Sequence, residues 1–576
     1  MLRTAFGGLD LVGMVFRDMA SMDGEEVEWQ FDALDLRPVE RWLAMRPPDS
    51  GLAVVPRPTL LITDTYLDTH DWRLHRAGYS LRLREESGGV DAEATLKSLT
   101  SATGGQPRVR REISETLPKA DHELLTRARG PVAEHIRALS ARQSLEALAT
   151  VRTTRRGFAI VSEGVEVGEL VLDHTEIPVS QDDVPFVLNR VELESAVADS
   201  SLLADLAEEL RDACGLQVAT RSKFESGLLA AGLTPPGPIY LGPTAVDSSM
   251  AVGDLAFSQL RRQFSVFLQH EAGARLGEDP EDVHDMRVAT RRLRAALTLF
   301  EAVLPARSRW LRKELGWIAG YLGVVRDLDV QLEQVRGWAA GEAANAEALG
   351  QLVRIIERRR REARRKLIRA LDSLRFQRLV RGGAQMLLKG PLQRNPGARA
   401  PVLAVAPELI GNLFRKVRKV GDGLDSSSDA ELLHRLRIRC KRLRYALEFV
   451  GPIYGKAIRS YIKRVVAVQE VLGDHQDAHV AVAHLRSLVE TEGARLGPQT
   501  LFHLGWIAHR YQQRAEVLRV RFPVVYDKLK GKAWGRAWEA LEEGRTRQAA
   551  IIAGRSDSRR VPGSPSGKVS RADEPA

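Results

Sequence analysis

The feature that most constrains this chain is an internal repeat at an offset of 150 residues. His284-Asp-Met-Arg-Val-Ala-Thr-Arg-Arg-Leu-Arg-Ala-Ala-Leu297 aligns with His434-Arg-Leu-Arg-Ile-Arg-Cys-Lys-Arg-Leu-Arg-Tyr-Ala-Leu447, with seven of fourteen positions identical. The same offset returns downstream, where Leu322-Gly-Val-Val-Arg-Asp-Leu-Asp-Val330 aligns with Leu472-Gly-Asp-His-Gln-Asp-Ala-His-Val480. A chance match has no reason to recur at one spacing, so the region is a duplicated helical unit. At about 100° per residue, His284, Arg287, Arg291 and Arg294 fall within an arc of roughly 80°, and His434, Arg437, Lys441 and Arg444 repeat the stripe. Met286, Ala289, Leu293, Ala296, Leu297 and Phe300 lie on the opposite side, so the core is accounted for without the ridge. Like charges one turn apart repel by a few tenths of a kcal/mol per pair, so helix stability does not call for such a ridge. An external anion removes that cost. Arg292 and Arg442 are identical between the repeats but lie off the ridge and rank second.

A chain of 576 residues is too long for one core. The stretch Thr234-Pro-Pro-Gly-Pro-Ile-Tyr-Leu-Gly-Pro-Thr244 has no period and reads as a linker over 233–250. Split at residue 250, the net charge of +10 separates into opposites: 26 Lys+Arg against 39 Asp+Glu before it, and 59 against 36 after it. A positive excess of that size favours a polyanion as partner of the C-terminal part.

Before the linker, short alternating runs such as Tyr79-Ser-Leu-Arg-Leu-Arg84, Arg108-Val-Arg-Arg-Glu-Ile113 and Asn189-Arg-Val-Glu-Leu-Glu194 predict strands, with helices near 121–149 and 200–213. After it, long segments of helical period predict an all-α region with repeats at about 251–388 and 404–550, divided by the Pro/Gly-rich segment 389–407. The fold class expected is α+β: an N-terminal antiparallel β-barrel or tunnel with helices over 23–232, then an all-α duplicated helical bundle over 251–550. Residues 1–22 read as a leader, with Met14, Met19 and Met22 as alternative starts, and 551–576 as a disordered tail. The run Arg358 to Lys366 reads as the wet face of a helix. No stretch approaches the roughly 20 apolar residues of a spanning helix, so no membrane is expected. Two distant cysteines exclude a disulfide framework and fit a reducing cytoplasm.

Arg forks and Lys point charges suit phosphate oxygens, whereas single-strand nucleic-acid sites add stacking aromatics, and the ridges contain only Tyr445. A base-free polyanion such as inorganic polyphosphate fits better than nucleic acid. Residues 252–550 resemble the CHAD family, named for conserved histidines on α-helices. That resemblance implies paired helical bundles with a basic surface that binds polyphosphate, often at cytoplasmic polyphosphate granules. It assigns His284, Arg287, Arg291, Arg294, His434, Arg437, Lys441 and Arg444 as polyphosphate ligands.

In the acidic part, Glu26-Val-Glu28-Trp-Gln30-Phe31 places three polar side chains on one face of a strand. Taken alone this is usually a solvent face. Arg82 with Arg84, Lys97, Arg155, Asp173 and a second E-x-E, Glu192 with Glu194, recur in other strand-like runs. If these faces turn inward, carboxylates and cations share one lumen, which folding does not require. Hard carboxylate oxygens suit Mg²⁺ or Mn²⁺, and the cations suit a phosphate chain. The pattern resembles the CYTH family of triphosphate tunnel metalloenzymes over roughly 24–230. The resemblance implies Glu26, Glu28, Asp173, Glu192 and Glu194 on the metal side, and Arg82, Arg84, Lys97, Arg155 (with Arg156 adjacent) and Lys223 on the triphosphate side. Where the E-x-E-x-K signature has lysine, this chain has Gln30, which loses a charge and acid/base capacity and weakens the case for catalysis through Glu26, Glu28 and Gln30.

Three functions are therefore expected in order: a polyphosphate binder with a metal-dependent, triphosphate-binding tunnel; a soluble inorganic triphosphatase or other triphosphate hydrolase of the adenylate-cyclase-like kind; and a binder of nucleic-acid backbone.

Overall fold

The computed structural model describes residues 24–46, 51–99, 108–179, 184–196, 201–339 and 343–557. The expected leader 1–22 lies outside the described residues; of the tail expected to be disordered over 551–576, residues 551–557 instead continue the helix Lys532–Asp557 as its last turns, and 558–576 lie outside the described residues. Two compact units divide within the Pro/Gly-rich stretch, at Ile239 and Tyr240.

The first unit is built on ten strands: β1 (Gly24–Ala33), β2 (Ala53–Pro56), β3 (Leu60–Thr69), β4 (Tyr79–Glu86), β5 (Ala92–Ser98), β6 (Arg108–Leu117), β7 (Leu145–Ser162), β8 (Val165–Ile177), β9 (Phe186–Ser195) and β10 (Gln217–Val218). Neighbours run β1-β6-β5-β4-β3-β7-β8-β9, and β9 pairs back with β1, closing an antiparallel barrel of eight strands. Closure removes the free edges that an open sheet would expose. The helix expected over 121–149 is corrected: helices occupy His122–Arg127 and Pro131–Leu139, and residues 145–149 begin the 18-residue strand β7. Pairing of Ala147–Val151 with β3, continued by the β8 ladder from Arg152 onward, overrides the helical preference of Ala147, Leu148 and Ala149.

Side-chain alternation then sorts each strand. Trp29, Phe31, Leu170, Leu172, Val191 and Leu193 face outward and are buried together with Val39, Leu203, Leu206 and Leu210, from helices Arg37–Met45 and Ser201–Cys214. The intervening polar residues are forced into the lumen. Helix α1 (Lys223–Ala230), capped by Ser222 and Glu225, sends Phe224 and Leu228 against Tyr66, Val151 and Ile177. This apolar plug sits beside the polar lumen.

The second unit is helical: α2 (Val252–Gln269), α3 (Pro280–Leu299), α4 (Arg307–Ala339), α5 (Ala343–Leu371), α6 (Leu374–Lys389), then α7 (Val402–Gly421), α8 (Ala430–Tyr454), α9 (Lys456–Glu492), α10 (Pro498–Asp527) and α11 (Lys532–Asp557). Besides the short helices Glu271–Leu276 and Pro396–Arg399, five long helices among the described residues are followed by five of matching order, the duplication that the sequence repeat requires. At the junction, Ala251 and Pro401, themselves 150 residues apart, form an antiparallel bridge. Val252 N donates to Ala400 O at 2.9 Å and Val402 N to Met250 O at 3.0 Å. Reciprocal bonds between equivalent residues define a local pseudo-two-fold axis.

One apolar core joins both repeats, and Leu293 and Leu443, equivalent residues of α3 and α8, are fully buried in it. The Arg358–Lys366 run is not simply a wet face: Arg360 binds the buried Asp329 at 2.5 Å, and Arg364 donates to Arg275 O at 2.9 Å. Leu293→Ala and Leu443→Ala should each cost about 2–5 kcal/mol and by similar amounts, as measured by urea denaturation.

Candidate functional site

The pairing of β1 with β9 brings the two E-x-E motifs side by side. Glu28 stands opposite Glu194 and Gln30 opposite Glu192, more than 160 residues apart in sequence. The Glu26 side chain lies outside the described residues. Gln30 Nε2 donates to Glu28 Oε2 at 3.1 Å and to Glu192 Oε1 at 3.0 Å, so the amide bridges the two strands. Its Oε1 accepts from Arg110 Nη2 at 3.3 Å, and that guanidinium also sits 2.7 Å from Glu28 Oε1.

Across the lumen, Arg155 clamps Asp173 through Nε at 2.9 Å and Nη2 at 2.6 Å, and reaches Glu192 at 3.3 Å. Arg156 points outward to Glu40, which the period of two requires once Arg155 faces in. Lys223, at the first turn of α1, also binds Asp173 and reaches Glu192 Oε2 at 3.0 Å. Burial would raise both carboxyls, but Lys223 and Arg155 overcome it and hold them below the usual range.

Arg84 donates to both oxygens of Asp64, at 2.8 and 3.0 Å. Asp64 is buried, and Arg84 and Arg82 hold it below the usual carboxylate range despite that burial. Arg82 also donates to Thr95 Oγ1 at 3.2 Å, and Lys97 Nζ is 2.6 Å from Glu112. Glu194 is different: burial among protein atoms, with Glu112 and Glu28 nearby, pushes it up to about 7 against Lys97, although its side chain keeps contact with solvent.

All five cations expected in the lumen are therefore there. Asp64, Arg110 and Glu112 were not anticipated, although Asp64-Thr-Tyr66-Leu-Asp68 and Arg110-Arg-Glu112 show the same alternation as the strands that were. Among the described residues no three acidic, histidine or cysteine side chains converge where they could hold a metal ion. Glu28, Asp173 and Glu192 are engaged by cations instead, so the described side chains do not form an Mg²⁺ or Mn²⁺ centre by themselves.

In the helical unit the two ridges meet. Arg287 Nη2 lies 3.6 Å from Asp327 Oδ1, and Arg437 Nη2 lies 3.8 Å from Asp477 Oδ1, the same pair repeated at the 150-residue offset. Their side chains pass over Gly323 and Gly473. Burial lowers Lys441 to about 8, helped by Arg437 of its own helix and by Arg291 and Arg287 of the other repeat. Four cations thus share one field across the pseudo-axis. Nε of Arg291 and of Arg437 is buried with no hydrogen-bond partner among the described residues.

His434 Nδ1 lies 2.8 Å from Gln476 Oε1. The residue equivalent to Gln476 is Arg326, which with burial lowers His284. Arg294 is exposed over Gly316, whereas Arg444 is tied to Glu448 at 2.8 Å and Gln469 at 3.2 Å. Glu448 also accepts from Arg292 at 3.4 Å, giving that second-rank residue a structural partner.

Removing one partner of a buried ion pair strands the other. Arg84→Ala should cost about 3–5 kcal/mol by chemical denaturation, and Asp64→Asn in the same chain should recover part of it. Because Asp64, Asp173 and Glu192 are held below their unfolded values, their stabilisation is present above about pH 4–5 and should be lost as pH falls further.

Residues 53–228 match the CYTH domain family and residues 258–486 the CHAD domain family. An uncharacterized protein of Mycobacterium tuberculosis (strain H37Rv) is 26% identical over 523 residues, covering 85% of this chain and 93% of that protein. The CHAD domain from the plant Ricinus communis is 27% identical, covering 51% of this chain and 96% of its own, with a TM-score of 0.43. A Hippeastrum protein titled a putative adenylyl cyclase that reveals a dominant triphosphatase activity is 17% identical, covering 36% of this chain and 98% of its own, with a TM-score of 0.29. No helix among the described residues is long and apolar enough to cross a membrane. With the closed charged barrel ahead of the duplicated basic helices, the chain carries a CYTH domain followed by a CHAD domain.

Proposed function

We propose that the helical unit binds inorganic polyphosphate across its pseudo-two-fold axis and that the barrel holds a triphosphate chain. The observation that carries this reading is the convergence of Arg287, Arg291, Arg437 and Lys441 from both repeats, with two guanidinium Nε groups buried and unpaired. Buried N–H donors are rarely left without acceptors, and phosphate oxygens supply both acceptors and charge. Tyr445, the aromatic residue among the ridge positions, is buried in the core under Arg444, so these ridges offer no platform for stacking a base. That favours polyphosphate over single-stranded nucleic acid. Association with cytoplasmic polyphosphate granules follows from the same reading.

In the barrel, a triphosphate would compete with Asp173, Glu192 and Asp64 for the donors of Arg155, Lys223 and Arg84. Hydrolysis is the second reading, favoured by the buried carboxylate Glu28 with Glu194 opposite it on β9. Gln30 holds Glu28 and Glu192 through a neutral amide, and so supplies neither a charge nor a proton acceptor for attack by water. Mg²⁺ or Mn²⁺ remains an expectation of the family resemblance, and Glu26 is the candidate ligand outside the described residues.

The full chain should be retained on immobilised polyphosphate and resist displacement by duplex DNA at matched phosphate and salt, and the Arg287→Glu/Arg437→Glu variant should not be retained. Lys441 is charged below about pH 8 and neutral above it, so affinity should fall about 3–10-fold from pH 7 to 9, with Lys441→Arg removing the decline. Ready displacement by DNA, or retention unchanged by the double reversal, would remove the polyphosphate reading.

Phosphate release from tripolyphosphate with Mg²⁺ or Mn²⁺ should be slow in the natural chain, abolished by Glu28→Ala, and raised about tenfold or more by Gln30→Lys, a barrier change of roughly 1.4 kcal/mol. Equal release by the natural chain and Glu28→Ala would exclude the hydrolase.

A further inference from the structure

Helices α7 and α11 enclose a cleft of about 910 Å³ that neither the barrel nor the basic ridges use. At about 100° per residue, Glu408, Gly411, Arg415, Lys419 and Asp422 share one face of α7, and Trp534, Trp538, Glu542 and Arg545 share one face of α11. The two helices run antiparallel: Trp534 stacks on Phe414 at 3.7 Å between ring centres, Trp538 lies against Gly411, and Gly544 lies against Leu403. A Cβ at position 411 would stand 2.8 Å from the Trp538 ring, so only glycine admits that ring. Trp538 is half-buried and gives the middle of the cleft an aromatic surface.

The duplication breaks at this point. Ser258, Arg261 and Phe264 of α2 are the equivalents of Glu408, Gly411 and Phe414 at the 150-residue offset. In the first repeat the chain itself covers this face. Ser258 Oγ donates to Thr244 O at 2.7 Å, and Arg261 donates to Pro243 O at 3.3 Å and to Leu387 O at 3.1 Å. The stretch equivalent to 241–245 is 391–395, and it turns to the first repeat instead: Asn395 Nδ2 donates to Ala302 O at 3.0 Å, and Pro391 packs on Gly253. The face of α7 is thereby left as one wall of the cleft.

The two ends of the cleft differ in charge. At one end Arg415 donates to Asn412 Oδ1, and among the described residues neither Arg415 nor Lys419 has a carboxylate partner. Asp422, at the same end, is matched by Arg418, by Lys530 at 3.7 Å and by the Tyr526 hydroxyl at 2.9 Å. At the other end Glu542 is paired with Arg545, while Glu408 is exposed and has no cation partner among the described residues.

We propose that this cleft binds a guanine nucleotide, with the base on Trp538, the base's N1–H and N2 amino group on Glu408, and the phosphates on Arg415 and Lys419. A base stacks on an indole whatever its identity, and Arg and Lys suit phosphate oxygens. Glu408 supplies the discrimination, because a carboxylate only accepts hydrogen bonds. Guanine offers it two adjacent donors, whereas adenine sets a ring acceptor beside its amino group. Glu408 stands roughly 10–16 Å along the helix from the two cations, a separation that an extended nucleotide bridges.

The test is isothermal titration calorimetry of the full chain with GDP and ADP, with melting followed by circular dichroism to confirm that each variant folds. GDP should bind with a Kd of about 1–100 µM, at least about tenfold more tightly than ADP. Glu408→Gln, an exposed change of the same shape, should bring GDP down to the affinity of ADP. Trp538→Leu should weaken both nucleotides at least about tenfold. Arg415→Gln/Lys419→Gln should weaken GDP while leaving the binding of guanosine unchanged. Equal affinity for GDP and ADP in the natural chain overturns the proposal, as does the absence of GDP binding at about 1 mM. So does a GDP affinity that both Glu408→Gln and Trp538→Leu leave unchanged, since the phosphates are then held elsewhere in the molecule.

Discussion

The first unit depends on charge neutralising charge inside a closed barrel. Taking a carboxylate out of water costs several kcal/mol, which only close cations and satisfied hydrogen bonds recover. Asp173 and Glu192 share Arg155 and Lys223, Asp64 is matched to Arg84, and Glu28 to Arg110. None of these residues is stable there alone. The network also requires the barrel to be closed, since Gln30 spans from β1 to Glu192 on β9, the pairing that joins first strand to last. Lys223 comes from a helix whose apolar side packs into the lumen, so one short element both plugs the barrel and completes its charge balance.

The helical unit solves the opposite problem. Its ridges gather cations faster than carboxylates, leaving Asp327 and Asp477 at long range and two guanidinium nitrogens without acceptors. A core continuous through both repeats, from Val252 to Leu541, gives that surface the stability to tolerate self-repulsion. The pseudo-axis at Ala251 and Pro401 then turns two modest stripes into one field. Under the proposed function, barrel and bundle would reach phosphate chemistry by different routes: balanced ions that a ligand displaces, and unbalanced ions that a ligand satisfies.

Particular residues show how far the sequence could be read. The ridges were legible because helical period sorts His284, Arg287 and Arg291 from Met286, Ala289 and Leu293 without reference to any neighbour. Arg82, Arg84 and Lys97 were legible only as a recurrence, since one alternating strand looks the same facing water or facing a lumen. Asp64 and Arg110 escaped for that reason. So did the start of β7, where residues 145–149 carry a local helical pattern that pairing with β3 overrides, and the partly buried members of the Arg358–Lys366 run, which Asp329 and the Arg275 carbonyl draw inward.

The sequence by itself determined the two units, the duplication of the second and the division of charge between them, because these follow from period, spacing and composition. Tertiary structure alone decided which charges meet. Glu28 and Glu194, Arg155 and Lys223, and Arg291 and Lys441 are brought together by strand closure, by a plugging helix and by a pseudo-two-fold axis, and pairing across such distances leaves no local trace in the chain.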